Sequence, residues 1–194
     1  MRATHNRMRS GTIGGVDQPS PEQREIRKAR GNRAPGRVVR IDLGDGRCGF
    51  GRQLWSINAE FYDHVSTAGE PIDLLALVEK PVAFTIWVTD RCFKRNGRWT
   101  LLDTVPLLEW EQERFDVKFR QDMFSGALSI VSRSHPPSVY FENRPASIDE
   151  CEGLERDAIW SPEHIEDRLR DHFDGRPNKW VKSLRPKPRS EKDL

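Results

Sequence analysis

From Val38 to Val88 apolar residues keep returning at every second position, and this period constrains the fold more than any other feature. Val39, Ile41 and Leu43 alternate with Val38, Arg40 and Asp42, the pattern of a half-buried strand. Cys48, Phe50, Arg52 and Leu54 share one face of a second strand, and Ile57, Ala59 and Phe61 form a third alternating set. Val82–Thr89 sets Val, Phe, Ile and Val against Ala, Thr, Trp and Thr and is the clearest strand in the chain. Lys94-Arg95-Asn96-Gly97 then reads as a hairpin turn, returning as Arg98–Leu102, which places Trp87 and Trp99 on paired strands. Weaker strand patterns follow near Val117–Gln121, Ala127–Ser132, Val139–Phe141 and Leu154–Ile159.

Gly44-Asp45-Gly46-Arg47-Cys48-Gly49-Phe50-Gly51 fits G-x-G-x-x-G, a spacing that cradles phosphate when a helix follows and supplies its amides. Here a second strand follows, and no Lys precedes a Ser or Thr as in a P-loop. A kinase-type glycine loop lies between strands, yet H-R-D and D-F-G elements are absent. The simpler reading is a hairpin. Gly44-Asp45-Gly46 supplies the turn, and Gly49 and Gly51 open one face of the returning strand to a close neighbour.

Two helices interrupt the strands. Pro71–Val78 reads as a short helix beginning at proline. Near the C-terminus Ser161 precedes Pro162 at a helix start, with Glu163 in the first turn, and Trp160 and Ile165 have the spacing of a hydrophobic staple. Ile165, Leu169 and Phe173 form its buried stripe, and Gly175 and Pro177 end it. The outward positions Glu163, Glu166, Asp167, Arg170 and Asp171 are mainly acidic.

Composition sets the boundaries. Residues 1–36 hold hardly any large apolar side chains, which predicts a disordered basic extension with at most a short helix over Glu22–Arg30. Residues 183–194 read the same way, leaving 37–182 as one α+β domain, mainly antiparallel β-sheet, a twisted sheet or partly open barrel with the two helices. The +2 net charge conceals an acidic body, since residues 41–175 carry 15 basic and 25 acidic groups between basic ends. Such a field repels nucleic acid and attracts a basic protein. The tails lack the interleaved aromatic residues of a single-strand binder, so nucleic acid is expected to engage only those tails, if anything. The three cysteines, Cys48, Cys92 and Cys151, form neither a disulfide framework nor a zinc motif, and no apolar run spans a bilayer. A cytoplasmic protein is expected.

No catalytic pattern emerges: there is no G-x-S-x-G elbow, H-E-x-x-H or EF-hand loop. His164 and His172 lie roughly 80° apart on one helix, and Asp63-His64 has no partner nucleophile. Neither catalytic, cofactor nor metal residues are expected. Gly44–Leu54, Ala83–Asp90, Gly97–Leu101, Gly153–Asp171 (GLERDAIWSPEHIEDRLRD) and Pro177–Trp180 together resemble the immunity protein 26 family of bacterial polymorphic toxin systems, over about residues 36–182. The resemblance implies a non-enzymatic binder that neutralises a cognate toxin in self or sibling cells, and such toxins are often nucleases with basic clefts. The acidic body fits that partner independently. The expected interface is Glu163, Glu166, Asp167 and Asp171 on the helix, with Asp149, Glu150 and Glu152 beside it. A nucleic-acid-binding or regulatory adaptor working through the basic tails is the alternative.

Overall fold

The structure is a computed structural model that describes residues 35–94, 97–112, 116–134 and 141–188. Of the two segments expected to be disordered, residues 1–34 and 189–194 lie outside the described residues. β1 (Arg37–Asp42) and β2 (Arg47–Gln53) form the glycine hairpin, with Asp42 opposite Cys48 and Val38 opposite Arg52. Gly44 and Gly46 turn it at φ of +81° and +82°, a region that a side chain would strain. β3 (Asn58–Tyr62) continues the antiparallel order, and the short β4 (Ser66–Thr67) pairs with the start of β2.

α1 begins at Leu74 and ends at Val78, later than the proline suggests. Asp73 decides the start, because its carboxylate accepts from the amides of Leu75 and Ala76 at 2.9 and 3.3 Å. β5 (Val82–Val88) pairs with β3, and a 3-10 turn at Asp90–Phe93 carries the chain to β6 (Trp99–Thr104).

The expected β5–β6 hairpin does not form. One edge of β5 is taken by β3 and the other by β10 (Ile159–Trp160), which joins in parallel, while β6 pairs with β1. Trp87 and Trp99 therefore stand on strands separated by three others in the order β10-β5-β3-β2-β1-β6. Cys92 and Phe93 are buried beneath this crossing, with the Phe93 ring edge-on to Trp99, so tertiary burial overrides the local turn signal. The sheet is open. Apart from β10 its pairings are antiparallel.

After α2 (Glu109–Gln112), a second sheet runs β7 (Asp116–Gln121), β8 (Leu128–Arg133) and β9 (Phe141–Pro145). The strand expected at Val139–Phe141 is represented only by Phe141, since 139 and 140 lie outside the described residues. Asp116 accepts from the Trp87 indole and binds Lys118 at 2.7 Å, and the Arg133 guanidinium lies 4.2 Å from the Trp87 ring centre. These contacts fasten the small sheet to β5. α3 (Ile148–Cys151), α4 (Pro162–Phe173) and α5 (Lys179–Leu184) complete the chain. The strand expected over Leu154–Ile159 reduces to a parallel bridge from Arg156 to Phe119, followed by β10.

The large sheet is covered on both faces, so β1 is buried on both sides rather than half-buried: Val38 is 0% and Val39 1% exposed. Cys48, Phe50, Tyr62, Leu74, Leu77 and Val78 form the layer under α1. Val39, Ile41, Phe61, Ile86, Trp99, Trp160, Ile165 and Leu169 form the layer under α4. The thiols of Cys48, Cys92 and Cys151 are free and buried, and burial pushes that of Cys92 up to about 12.

The strand glycines have a packing role. A Cβ on Gly49 would stand 3.0 Å from Leu169 Cδ1, and one on Gly51 would stand 2.8 Å from the Phe61 ring. Both glycines face α4 and the aromatic core, opposite Cys48 and Phe50. The Gly51→Ala variant is expected to lose about 1–3 kcal/mol, because the Phe61 ring has no free space to yield. Urea unfolding would check this, and an unchanged midpoint would contradict it.

Candidate functional site

The expected interface lies on α4 and α3. Ser161 stands at the N-cap of α4 with Pro162 in the first turn, and the staple pair Trp160 and Ile165 is buried at 2% and 0%. The Ser161 side chain accepts no amide bond, so the staple and proline mark this start rather than a hydroxyl cap. Ile165 and Leu169 sit fully in the core and Phe173 packs at its border.

Glu166 does not face outward. It is 7% exposed, accepts from the Trp99 indole at 2.9 Å and pairs with Arg98 at 3.3 Å. α4 lies in a trough, flanked by Trp99 on one side and by Phe84 and Trp160 on the other, where Arg168 stacks at 3.9 and 5.0 Å. Its buried arc is consequently wider than the apolar stripe, taking in Glu166 and Arg168.

The other three acidic positions reach solvent, each beside a cation. Glu163 is mostly exposed and pairs with Arg91 at 2.9 Å. Its own backbone amide and the Ser161 hydroxyl hold its carboxyl below the ordinary value, helped by Arg91. Asp167 pairs with Arg170 at 2.6 Å and accepts from the Trp180 indole at 3.1 Å. Burial alone would raise Asp167, but those bonds and the charge of Lys179 outweigh it and hold the carboxyl low. Asp171 is partly covered, binding Arg176 at 3.1 Å and the Asn178 amide at 2.9 Å.

The α3 group is exposed. Asp149, Glu150 and Glu152 all reach solvent. Ser147 and Glu150 form a reciprocal capping box, and Glu150 also binds Arg144 at 2.8 Å. The Ser147 amide, Arg144 and the Ser147 hydroxyl hold the Glu150 carboxyl down at about 2. The Ser147-x-x-Glu150 spacing is the textual sign of this helix, which the strand-based reading passes over. α5 is likewise missed, although Asn178 caps it by accepting from Trp180 and Val181.

A second ionic constellation is enclosed in the fold. Arg52 is 0% exposed and donates to Glu111 at 2.8 Å and to the carbonyls of Val105 and Pro106 at 3.0 and 2.9 Å. Glu60 lies 3.5 Å from Arg52 and accepts from the Tyr62 hydroxyl at 2.6 Å. Burial, reinforced by the Glu60 charge, pushes the Tyr62 hydroxyl up, keeping it a donor. The group sets one buried guanidinium against two carboxylates inside the fold. Among the described residues no group of three or more His, Cys, Asp or Glu is placed to hold a metal, and no helix is long and apolar enough to cross a membrane.

Two outcomes follow from this geometry. Glu166→Ala strands the buried Trp99 indole and is expected to destabilise the protein by about 1–3 kcal/mol, read by chemical denaturation; stability equal to the parent would show that the latch is idle. The capping-box contribution of Glu150 has a defined pH window, because its folded pKa is depressed. It is fully present above the ordinary value of 4.5 and disappears as pH falls toward about 2. NMR titration of the Glu150 carboxyl checks this, and a midpoint near 4.5 would contradict it.

Residues 34–127 match the family model described as Immunity protein 26. Comparisons with curated proteins and with solved structures returned no match. The matched stretch includes the glycine hairpin, β5 and β6, and it ends in the turn between β7 and β8. It does not extend over Gly153–Asp171, so all seven expected interface residues lie beyond it. Over residues 34–127 the chain is therefore similar to the immunity protein 26 family, the family its sequence resembles.

Proposed function

We propose that this protein is a non-enzymatic immunity protein that binds a cognate polymorphic toxin in the cytoplasm and blocks it by occupation, protecting self and sibling cells. The family match supports this reading most directly. The charge distribution supports a basic partner, since residues 41–175 carry ten more acidic than basic groups. A nuclease cleft, built to hold phosphates, has the complementary sign. The domain over residues 37–182 would carry the binding surface, with the basic ends outside it.

The proposed contacts are Glu163, Asp167 and Asp171 along α4 with Asp149, Glu150 and Glu152 around α3. Glu166 belongs to this surface as a positioning residue, because it latches α4 through Trp99. The α4 carboxylates already have arginine partners, which orders them and lowers the side-chain entropy lost on binding. A toxin cation must then compete with Arg91, Arg170 and Arg176, so specificity rests on geometry as well as on net charge.

The experiment is co-expression with the toxin domain encoded beside this gene, combined with binding kinetics. The parent protein is expected to rescue growth. Reversing Glu163, Asp167 and Asp171 together to lysine is expected to slow association roughly tenfold or more and flatten its salt dependence. Unchanged kinetics would remove this surface from the proposal. Failure of the parent to rescue growth or to bind would remove the toxin assignment itself.

A further inference from the structure

Arg168 and His172 of α4 face α5 across a groove. Its volume is about 430 Å³, and Arg168, His172, Arg176, Lys182 and Arg185 all line it together with the Asn178 amide. None of its ten lining residues is an Asp or Glu. Phe84, Ala83, Pro177 and Val181 supply the apolar part of the wall. We propose that this groove binds a small phosphate-bearing polyanion, of the size of a diphosphate or the phosphate chain of a nucleotide.

Three of the five basic side chains are fixed by carboxylates outside the groove. Both guanidinium nitrogens of Arg168 donate to Glu155, at 3.1 and 2.5 Å, while its plane lies against Phe84. Arg176 is held by Asp171 and Asp174 at 3.1 and 3.0 Å. His172 Nε2 lies 2.8 Å from Asp63. These contacts compensate charge but also preorganise the wall, so an anion need not order it.

Lys182 and Arg185 are different. Both are exposed, and neither side chain has an ion pair or hydrogen bond among the described residues. They project from a stretch, Gly175–Pro188, that holds five Lys/Arg and no Asp or Glu. The groove thus has fixed side chains on α4 and uncompensated charge on and just beyond α5. Cations on two walls suit an anion with oxygens on both sides, and the guanidinium fork matches phosphate geometry. The volume falls within the range of ligand sites, roughly 300–1,000 Å³. Because the surrounding body is acidic, attraction is local to the groove and depends on Lys182 and Arg185.

Sodium pyrophosphate is the probe, titrated into the full chain at low salt and followed by calorimetry and by amide NMR. One saturable site is expected, with shifts concentrated at Asn178, Lys182 and Arg185. The double variant Lys182→Glu/Arg185→Glu should weaken binding tenfold or more at an unchanged melting temperature, since both positions are exposed. Lys179→Glu is the control: Lys179 turns instead to Asp167 and the Trp180 ring, at 3.5 and 4.8 Å, and its loss should change affinity less than twofold. The absence of saturation overturns the proposal, as does equal weakening by Lys179→Glu, which would mean diffuse charge. Binding of a single-stranded 20-mer DNA without binding of pyrophosphate would also overturn it, in favour of an extended surface.

Discussion

The seating of α4 on the large sheet is the contact on which the rest of the molecule depends. Leu169 enters the space that Gly49 leaves on β2, and Ile165 joins the core beneath Trp160. Glu166 then latches the helix to β6 through the Trp99 indole. A side chain at Gly49 or a lost carboxylate at Glu166 would lift the same helix from two directions. Packing and one buried charged hydrogen bond share the task, and the second is effective because water is excluded around it.

Covering the sheet on both faces has an electrostatic consequence. β2 turns Gly49 and Gly51 toward α4, so Cys48, Phe50 and Arg52 must point to the opposite layer. Arg52 is thereby taken out of water, and an unpaired guanidinium there would be costly. Glu111, Glu60 and two backbone carbonyls answer that charge, which draws the segment after β6 back against β2. The buried ions specify how strands and connections meet.

The surface of α4 is two-sided. Glu163, Asp167 and Asp171 run along one side, each beside an arginine, whereas Arg168 and His172 contribute to the groove shared with α5. The domain's negative field is therefore an average over locally paired groups. The proposed protein partner would meet the ordered carboxylates, and the proposed anion the basic side chains of the groove. Asp171 joins the two surfaces, because it binds Arg176 and Asn178 of the groove wall.

Much of the fold was legible because period-two alternation and glycine turns are local signals: β1, β2, β3 and β5 stand close to where the alternation puts them. The staple, proline and apolar stripe did the same for α4. The Asn96-Gly97 signal misled because strand pairing is a competition for edges, and β3 and β10 had already occupied both edges of β5. Burial of Glu166 was illegible for a similar reason: a helical wheel gives spacing, whereas the width of the buried arc depends on what flanks the helix. By itself the sequence determined the α+β class, the family resemblance, the glycine hairpin and the acidic balance of the body, all set by residue type and near-neighbour spacing. Only the tertiary structure decided that Trp99 pairs its strand with β1, that Arg52 is a buried ion, and that cations more than ten residues apart share one groove. Those outcomes depend on contacts between distant segments, whose free energy no local window contains.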